Sequence, residues 1–204
     1  MCKFGRWTTL LFGLALIALL ASCAREGTVM VSFETANNES AWFPIDVAVW
    51  TAYERYPGDI EYSYNVTDAT ADLQATLIDP GTGQPSNSRV IHLDTYTVTW
   101  NNSLLHIPAT HGALDVTVPA DPNSSKPAKF TVLVLPAVSK DTVDVLYHLR
   151  GDPSPGYPNT FDGELITTAT ITFTGSDLMS GKAVEASLDL TAVFADFLDP
   201  NSYH

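Results

Sequence analysis

Val184-Glu185-Ala186-Ser187-Leu188-Asp189-Leu190-Thr191-Ala192-Val193-Phe194 is the stretch whose reading decides the fold. Val184, Ala186, Leu188, Leu190, Ala192 and Phe194 alternate with Glu185, Ser187, Asp189, Thr191 and Val193. Apolar and polar residues therefore separate with a period of two, and Val193 alone departs from the pattern. A strand sends successive side chains to opposite faces. A helix would place Glu185 and Asp189 on one face with Leu188 and Ala192 on the adjoining one, and would not sort the residues this way. The stretch predicts a long, half-buried strand.

The residues on either side repeat that pattern. Upstream, Thr168 to Gly175 alternates with Ala169, Ile171 and Phe173 inward, and Ser176 to Gly181 is a polar turn. Phe130 to Leu135 (FTVLVL) is almost wholly apolar, as in a strand covered on both faces. Further strands are predicted at Thr28–Thr35, Ile60–Val66, Leu73–Leu77, Arg89–Leu93, Tyr96–Trp100 and Leu114–Val118. Breaks fall at Asn37–Ser40, Pro57-Gly58-Asp59, Asp79–Pro85, Asn101–Ser103, Ala120–Pro127 and the proline- and glycine-rich Gly151–Gly163. Two stretches read both ways. Ala41–Tyr56 has a helical face, with Pro44 suited to a first helical turn, but Ile45, Val47 and Val49 also alternate, and strand fits the rest of the chain. Ala137–Leu149 is open, with room for a helical turn. Short strands joined by Gly, Pro and Asn turns predict an all-β fold, an antiparallel β-sandwich.

The N-terminus carries a different signal. Lys3 and Arg6 precede an apolar run from Trp7 to Leu20, which ends in small residues. That run has 14 residues, whereas a spanning helix needs about 20, so it reads as an export signal. Leu20-Ala21-Ser22-Cys23 resembles a bacterial lipobox. The resemblance implies a thioether from the Cys23 thiol to diacylglycerol, cleavage between Ser22 and Cys23, and acylation of the new amino group, as with palmitate. One acyl chain binds a bilayer marginally, and two or three hold firmly. In enterobacterial lipoproteins an Asp after the cysteine retains the protein in the inner membrane, so Ala24 implies the outer membrane. The expected organisation is a signal peptide over 1–22, a lipidated N-terminus, tether and first strands over 23–58, a sandwich over 59–200 and a tail over 201–204.

Composition narrows the possible functions. All 23 acidic residues and eight of the ten basic ones lie after residue 22, so the formal charge from Cys23 onward is 8 − 23 = −15. Such a surface repels nucleic acid and anionic headgroups and favours solubility. The two cysteines are Cys2, in the leader, and Cys23. With Cys23 lipidated no thiol remains for a disulfide, thiol catalysis or a thiolate-held metal, so stability must come from core burial.

The hairpin around Phe173-Thr174-Gly175-Ser176-Asp177-Leu178 and the β-rich remainder resemble immunoglobulin-like sandwich domains of bacterial envelope proteins, without their Cys–Trp–Cys set. Tyr96 to Pro200 also resembles the C-terminal parts of bacterial envelope lipoproteins. The resemblance implies a structural or binding module and assigns no activity.

Catalytic patterns are missing from the sequence. No Gly-x-Ser-x-Gly elbow is present. His106 and His111 are five apart across Pro108, which is not the spacing of a zinc-binding helix, and His92 and His148 stand alone. Asp162 with Glu164, or Asp196 with Asp199, are paired acids without a motif. Asp152, Asp162, Glu164 and Asp177, with loop carbonyls, are the candidate ligands for calcium. The remaining feature is aromatic. Trp42, Phe43, Trp50, Tyr53, Tyr56, Tyr62 and Tyr64 place seven rings within 23 residues. Most are expected to cover the core. If exposed, Trp42, Trp50 and Tyr53 are the candidate contacts for a glycan or an envelope protein. The expected role is a non-enzymatic lipoprotein of the bacterial envelope, held in the bilayer through Cys23, with a carbohydrate-binding or adhesive module as the second reading and an envelope hydrolase as the third.

Overall fold

The computed structural model describes residues 30–35, 42–102, 105–150 and 164–195. Among the described residues ten strands and two short helices follow in order: β1 (Met30–Thr35), β2 (Phe43–Asp46), β3 (Val49–Tyr56), β4 (Asp59–Asn65), β5 (Ala69–Ile78), β6 (Ile91–Trp100), β7 (Thr110–Val118), β8 (Ala128–Leu135), α1 (Ala137–Thr142), α2 (Asp144–His148), β9 (Leu165–Asp177) and β10 (Ala183–Ala195). The fold is all-β. One sheet has the order β1-β5-β8, the second β2-β10-β9-β6-β7, and β3 with β4 form a separate two-stranded sheet. All pairings are antiparallel except β2 with β10.

β10 contains the alternating stretch. Glu185, Ser187, Asp189 and Thr191 are exposed, and the alternate positions turn inward. At its end, Ala192 to Ala195 are all buried, so Val193 breaks the period where the strand stops having a wet face. There β10 lies between β9 and the parallel strand β2.

The two larger sheets share one core. Phe33 of β1 stacks on Phe173 of β9 with centroids 4.2 Å apart, and Phe130 of β8 meets Phe173 edge-on at 5.8 Å. Leu73, Ala75 and Leu77 from β5, Val132 and Val134 from β8, and Leu93, Val98, Ile171 and Leu190 from the other sheet fill the space around them. A smaller cluster joins Ile45, Val47, Ala69, Leu135, Val143, Leu146, Ala192 and Phe194, packing the helices onto one end.

β6 corrects one expectation. Arg89–Leu93 and Tyr96–Trp100 read as separate strands because their apolar residues fall out of phase. They form one strand with a bulge. Leu93 opposes Gly175 and Thr95 opposes Thr174, leaving Asp94 as the extra residue. The extra residue returns Ile91, Leu93, Tyr96 and Val98 to one buried face. Gly175 is required there, because a Cβ would lie 1.9 Å from the His92 carbonyl oxygen. Ala41–Tyr56 resolves into β2 and β3, separated at Val47-Ala48, and Ala137–Leu149 contains both helices. β1 and β2 belong to the same two sheets as the later strands.

Exposed strand edges invite pairing with other chains. β2 is four residues long and contains Pro44. The outer edge of β8 approaches β7, and the Tyr96 hydroxyl of β6 accepts a hydrogen bond from the Leu133 N–H at 3.0 Å. The expected consequence of Phe173→Ala is a loss of about 3–5 kcal/mol. That lowers the melting temperature by roughly 10 °C in a domain of this size. Thermal denaturation followed by circular dichroism measures it.

Candidate functional site

Five of the seven aromatics, Trp50, Tyr53, Tyr56, Tyr62 and Tyr64, lie on the β3–β4 hairpin. Pro57 and Gly58 form its turn. Gly58 takes a φ of +84°, which suits a residue without a Cβ, and its N–H donates to Glu54 Oε1 at 2.6 Å. The register pairs Trp50 with Tyr64, Ala52 with Tyr62, Tyr53 with Glu61 and Glu54 with Ile60. Residues directly opposite share a face. Tyr53 and Glu61 therefore occupy one face, while positions 60, 62 and 64 occupy the other.

Each face carries its own chemistry. On the first, the Tyr53 hydroxyl donates to Glu61 Oε2 at 2.5 Å, and Arg55 Nη1 donates to Glu61 Oε1 at 2.8 Å. The Tyr53 bond, followed by the Arg55 bond, holds the Glu61 carboxyl below the ordinary carboxylate range. The same bond pushes the Tyr53 phenol upward. On the second face, the Arg150 guanidinium lies 4.5 Å from the Tyr64 ring centroid and 4.8 Å from that of Tyr147. Arg150 is buried and donates through Nη2 to the Lys140 carbonyl at 2.6 Å and to Asp141 Oδ1 at 2.5 Å. Lys140 is also buried, and its ammonium donates to the Asp46 carbonyl. Burial lowers its pKa, against the pull of Asp46 and Asp68. These contacts tie the root of the hairpin to α1 and α2.

The three candidate contacts do not form one platform. Trp50 and Tyr53 occupy register positions on opposite faces of β3. Trp42 precedes β2, in a different sheet, and is 49% exposed. Phe43 packs against both cores, as cover. Tyr53, Tyr56, Ile60 and Tyr64 are all exposed.

The other candidates disperse. His111, in β7, shares a 3.0 Å hydrogen bond with Thr97, and His106 is exposed in the loop that precedes β7. His92 Nε2 lies 3.1 Å from Asp94 and 3.7 Å from Asp115, whose side chain is almost fully exposed. Among the described residues no group of His, Cys, Asp or Glu side chains is arranged to hold a metal ion. The calcium set is corrected by β9 itself. Glu164 and Asp177 stand at opposite ends of that strand, roughly 40 Å apart at about 3.3 Å per residue, so they cannot share an ion. Asp177 instead closes the β9–β10 turn. Its carboxylate accepts hydrogen bonds from the Met179 N–H at 2.8 Å, the Ser180 N–H at 3.3 Å, the Ser180 hydroxyl at 2.9 Å and Arg89 at 2.9 Å. Cys23, Ser22, Asp152, Asp162, Asp196 and Asp199 lie outside the described residues.

The Arg150–Tyr64 stack was not foreseen, because 86 positions separate its partners and neither belongs to a motif. Asp177 carried a readable signal as the first residue of Asp-Leu-Met-Ser-Gly, a turn in which an Asp side chain caps its own backbone. No protein-family model matches the chain, and no curated protein matches it.

The hydrogen bond from the Met179 N–H, with those from Ser180 and Arg89, lowers the Asp177 pKa. Its stabilising contribution is therefore present above the unfolded value of about 3.9 and is lost as pH falls through the lower folded value. Asp177→Asn should lower the melting temperature most at neutral pH. The gap from the unsubstituted chain should shrink below about pH 4, as a series of melts against pH would show.

Proposed function

We propose that the chain is a lipid-anchored, non-catalytic component of a bacterial cell envelope, in which an immunoglobulin-like β-sandwich holds the β3–β4 hairpin out for a partner. The observation that carries this reading is Leu20-Ala21-Ser22-Cys23 at the end of a short apolar run, ahead of an acidic all-β body. Strand order supports the immunoglobulin-like part. β1, β5 and β8 take the places of strands A, B and E, and β10, β9, β6 and β7 those of G, F, C and C′. The β3–β4 hairpin is then an insertion between the first strands and strand B. Its exposed tyrosines and Ile60 support a docking role, since Tyr is favoured where one protein binds another.

The anchor supplies location and the hairpin supplies contact. Acyl chains on Cys23 hold the body at a membrane, where its acidic surface resists adsorption to anionic headgroups. Ala24 favours the outer membrane, by the sorting rule of enterobacterial lipoproteins.

In a bacterial host, alkyne-palmitate labelling should mark the protein and leave Cys23→Ala unmarked with its leader retained. Mass spectrometry should place Cys23 at the N-terminus of the marked form. Unlabelled wild-type protein with an intact leader would overturn the proposal.

A further inference from the structure

β2 is short and carries Pro44, and the outer edges of β7 and β8 approach one another, whereas both outer edges of the hairpin are unpaired among the described residues. β3 and β4 are eight and seven residues long, and no third strand pairs with either among the described residues. An isolated two-stranded sheet is only marginally stable in water, and a third strand or a packed face is what normally secures it. The helices hold the root through Arg150 and Tyr64, whereas the outer half, with Tyr56 and Ile60, is exposed.

The residue order along β4 points to its partner. Asp59-Ile60-Glu61-Tyr62-Ser63-Tyr64-Asn65 is laid out about Tyr62 so that the strand complements its own reverse. Paired antiparallel with a copy of itself about that centre, Ile60 meets the partner's Tyr64, Glu61 meets the partner's Ser63 and Asp59 meets the partner's Asn65. Tyr62 meets the partner's Tyr62. No acid opposes an acid, although the chain as a whole carries a formal charge of −13. Aromatic and branched apolar pairs then repeat along the face that carries positions 60, 62 and 64, the kind of cross-strand pair that stabilises sheets.

We propose that β4 pairs antiparallel with β4 of a second copy about a two-fold axis at Tyr62, joining two hairpins into one four-stranded sheet. The interface is isologous, so each contact occurs twice. It is small, and overall charge opposes it, so association is weak and strengthens with salt as repulsion is screened. The inference names the partner of the hairpin and does not depend on the lipid anchor. Its failure would leave the palmitate experiment untouched.

The test uses the full-length chain in detergent with Cys2→Ser and Cys23→Ser, which removes both native thiols. Tyr62→Cys places two sulfurs across the axis, where directly opposite Cα atoms are about 4.5–5.5 Å apart, within disulfide range. Thr51→Cys, on β3, sits at least about 14 Å from its copy, three strand spacings away. Mild oxidation should convert Tyr62→Cys to a species of twice the mass and leave Thr51→Cys monomeric. A second pair of variants holds even if Tyr62→Cys fails to fold. Ser63→Glu puts a new carboxylate opposite the partner's Glu61, and Ser63→Lys puts an ammonium there, each twice. Sedimentation equilibrium should show association weakened about three- to tenfold by Ser63→Glu and strengthened by Ser63→Lys. Equal cross-linking of the two cysteine variants, or folded Ser63 variants that sediment like the unsubstituted chain, would overturn the proposal.

Discussion

The stack of Phe33 on Phe173 is the contact on which the architecture depends. The two rings come from different sheets, 140 positions apart in the chain, and meet at 4.2 Å with Phe130 set edge-on. No disulfide crosses between the sheets, so burial has to hold them together. Aromatic side chains supply more buried area per residue than any others. Gly175, two residues after Phe173, allows the bulge in β6 that keeps Leu93 and Tyr96 on the same buried face. Tyr96 then reaches across the core to the edge of β8 through its hydroxyl.

The same constraint explains why the hairpin stands apart. A sheet face is stable when another layer covers it. β3 and β4 belong to neither large sheet, and none of their described side chains is in the two core clusters. One described attachment is polar and local: a guanidinium beside two tyrosine rings, donating to a helix carbonyl and a carboxylate. A segment fixed at its root and exposed along its length is suited to contact, and this connects the packing of the body to the proposed role.

Much of this was legible in the sequence where period two ran without interruption. β9 and β10 could be read because their inward and outward residues never exchange over most of their length. β6 was split in two, because a bulge shifts the phase by one residue and looks like a turn. β3 reads both ways because Val49, Trp50, Ala52, Tyr53 and Tyr56 fall at register positions on both faces of the strand. The helices at Ala137–Thr142 and Asp144–His148 are too short for a 3.6-residue period to declare itself. The aromatic cluster was visible as composition. Its division between two faces was not, since that follows from a register fixed by the Pro57-Gly58 turn. Leu20-Ala21-Ser22-Cys23, which resembles a lipobox, is a local chemical pattern that can be read without a fold, and the proposed function rests on it.

The division between a body closed by aromatic packing and a hairpin held only at its root is tested most directly by amide hydrogen exchange on dilute, monomeric protein. Amides in the centres of β6, β9 and β10 should exchange only through global unfolding, while those of β3 and β4 between the Trp50–Tyr64 pair and the Pro57-Gly58 turn should exchange orders of magnitude faster through local opening. Hairpin amides as slow as those of β9 would contradict the account, because they would place β3 and β4 inside the cooperative core.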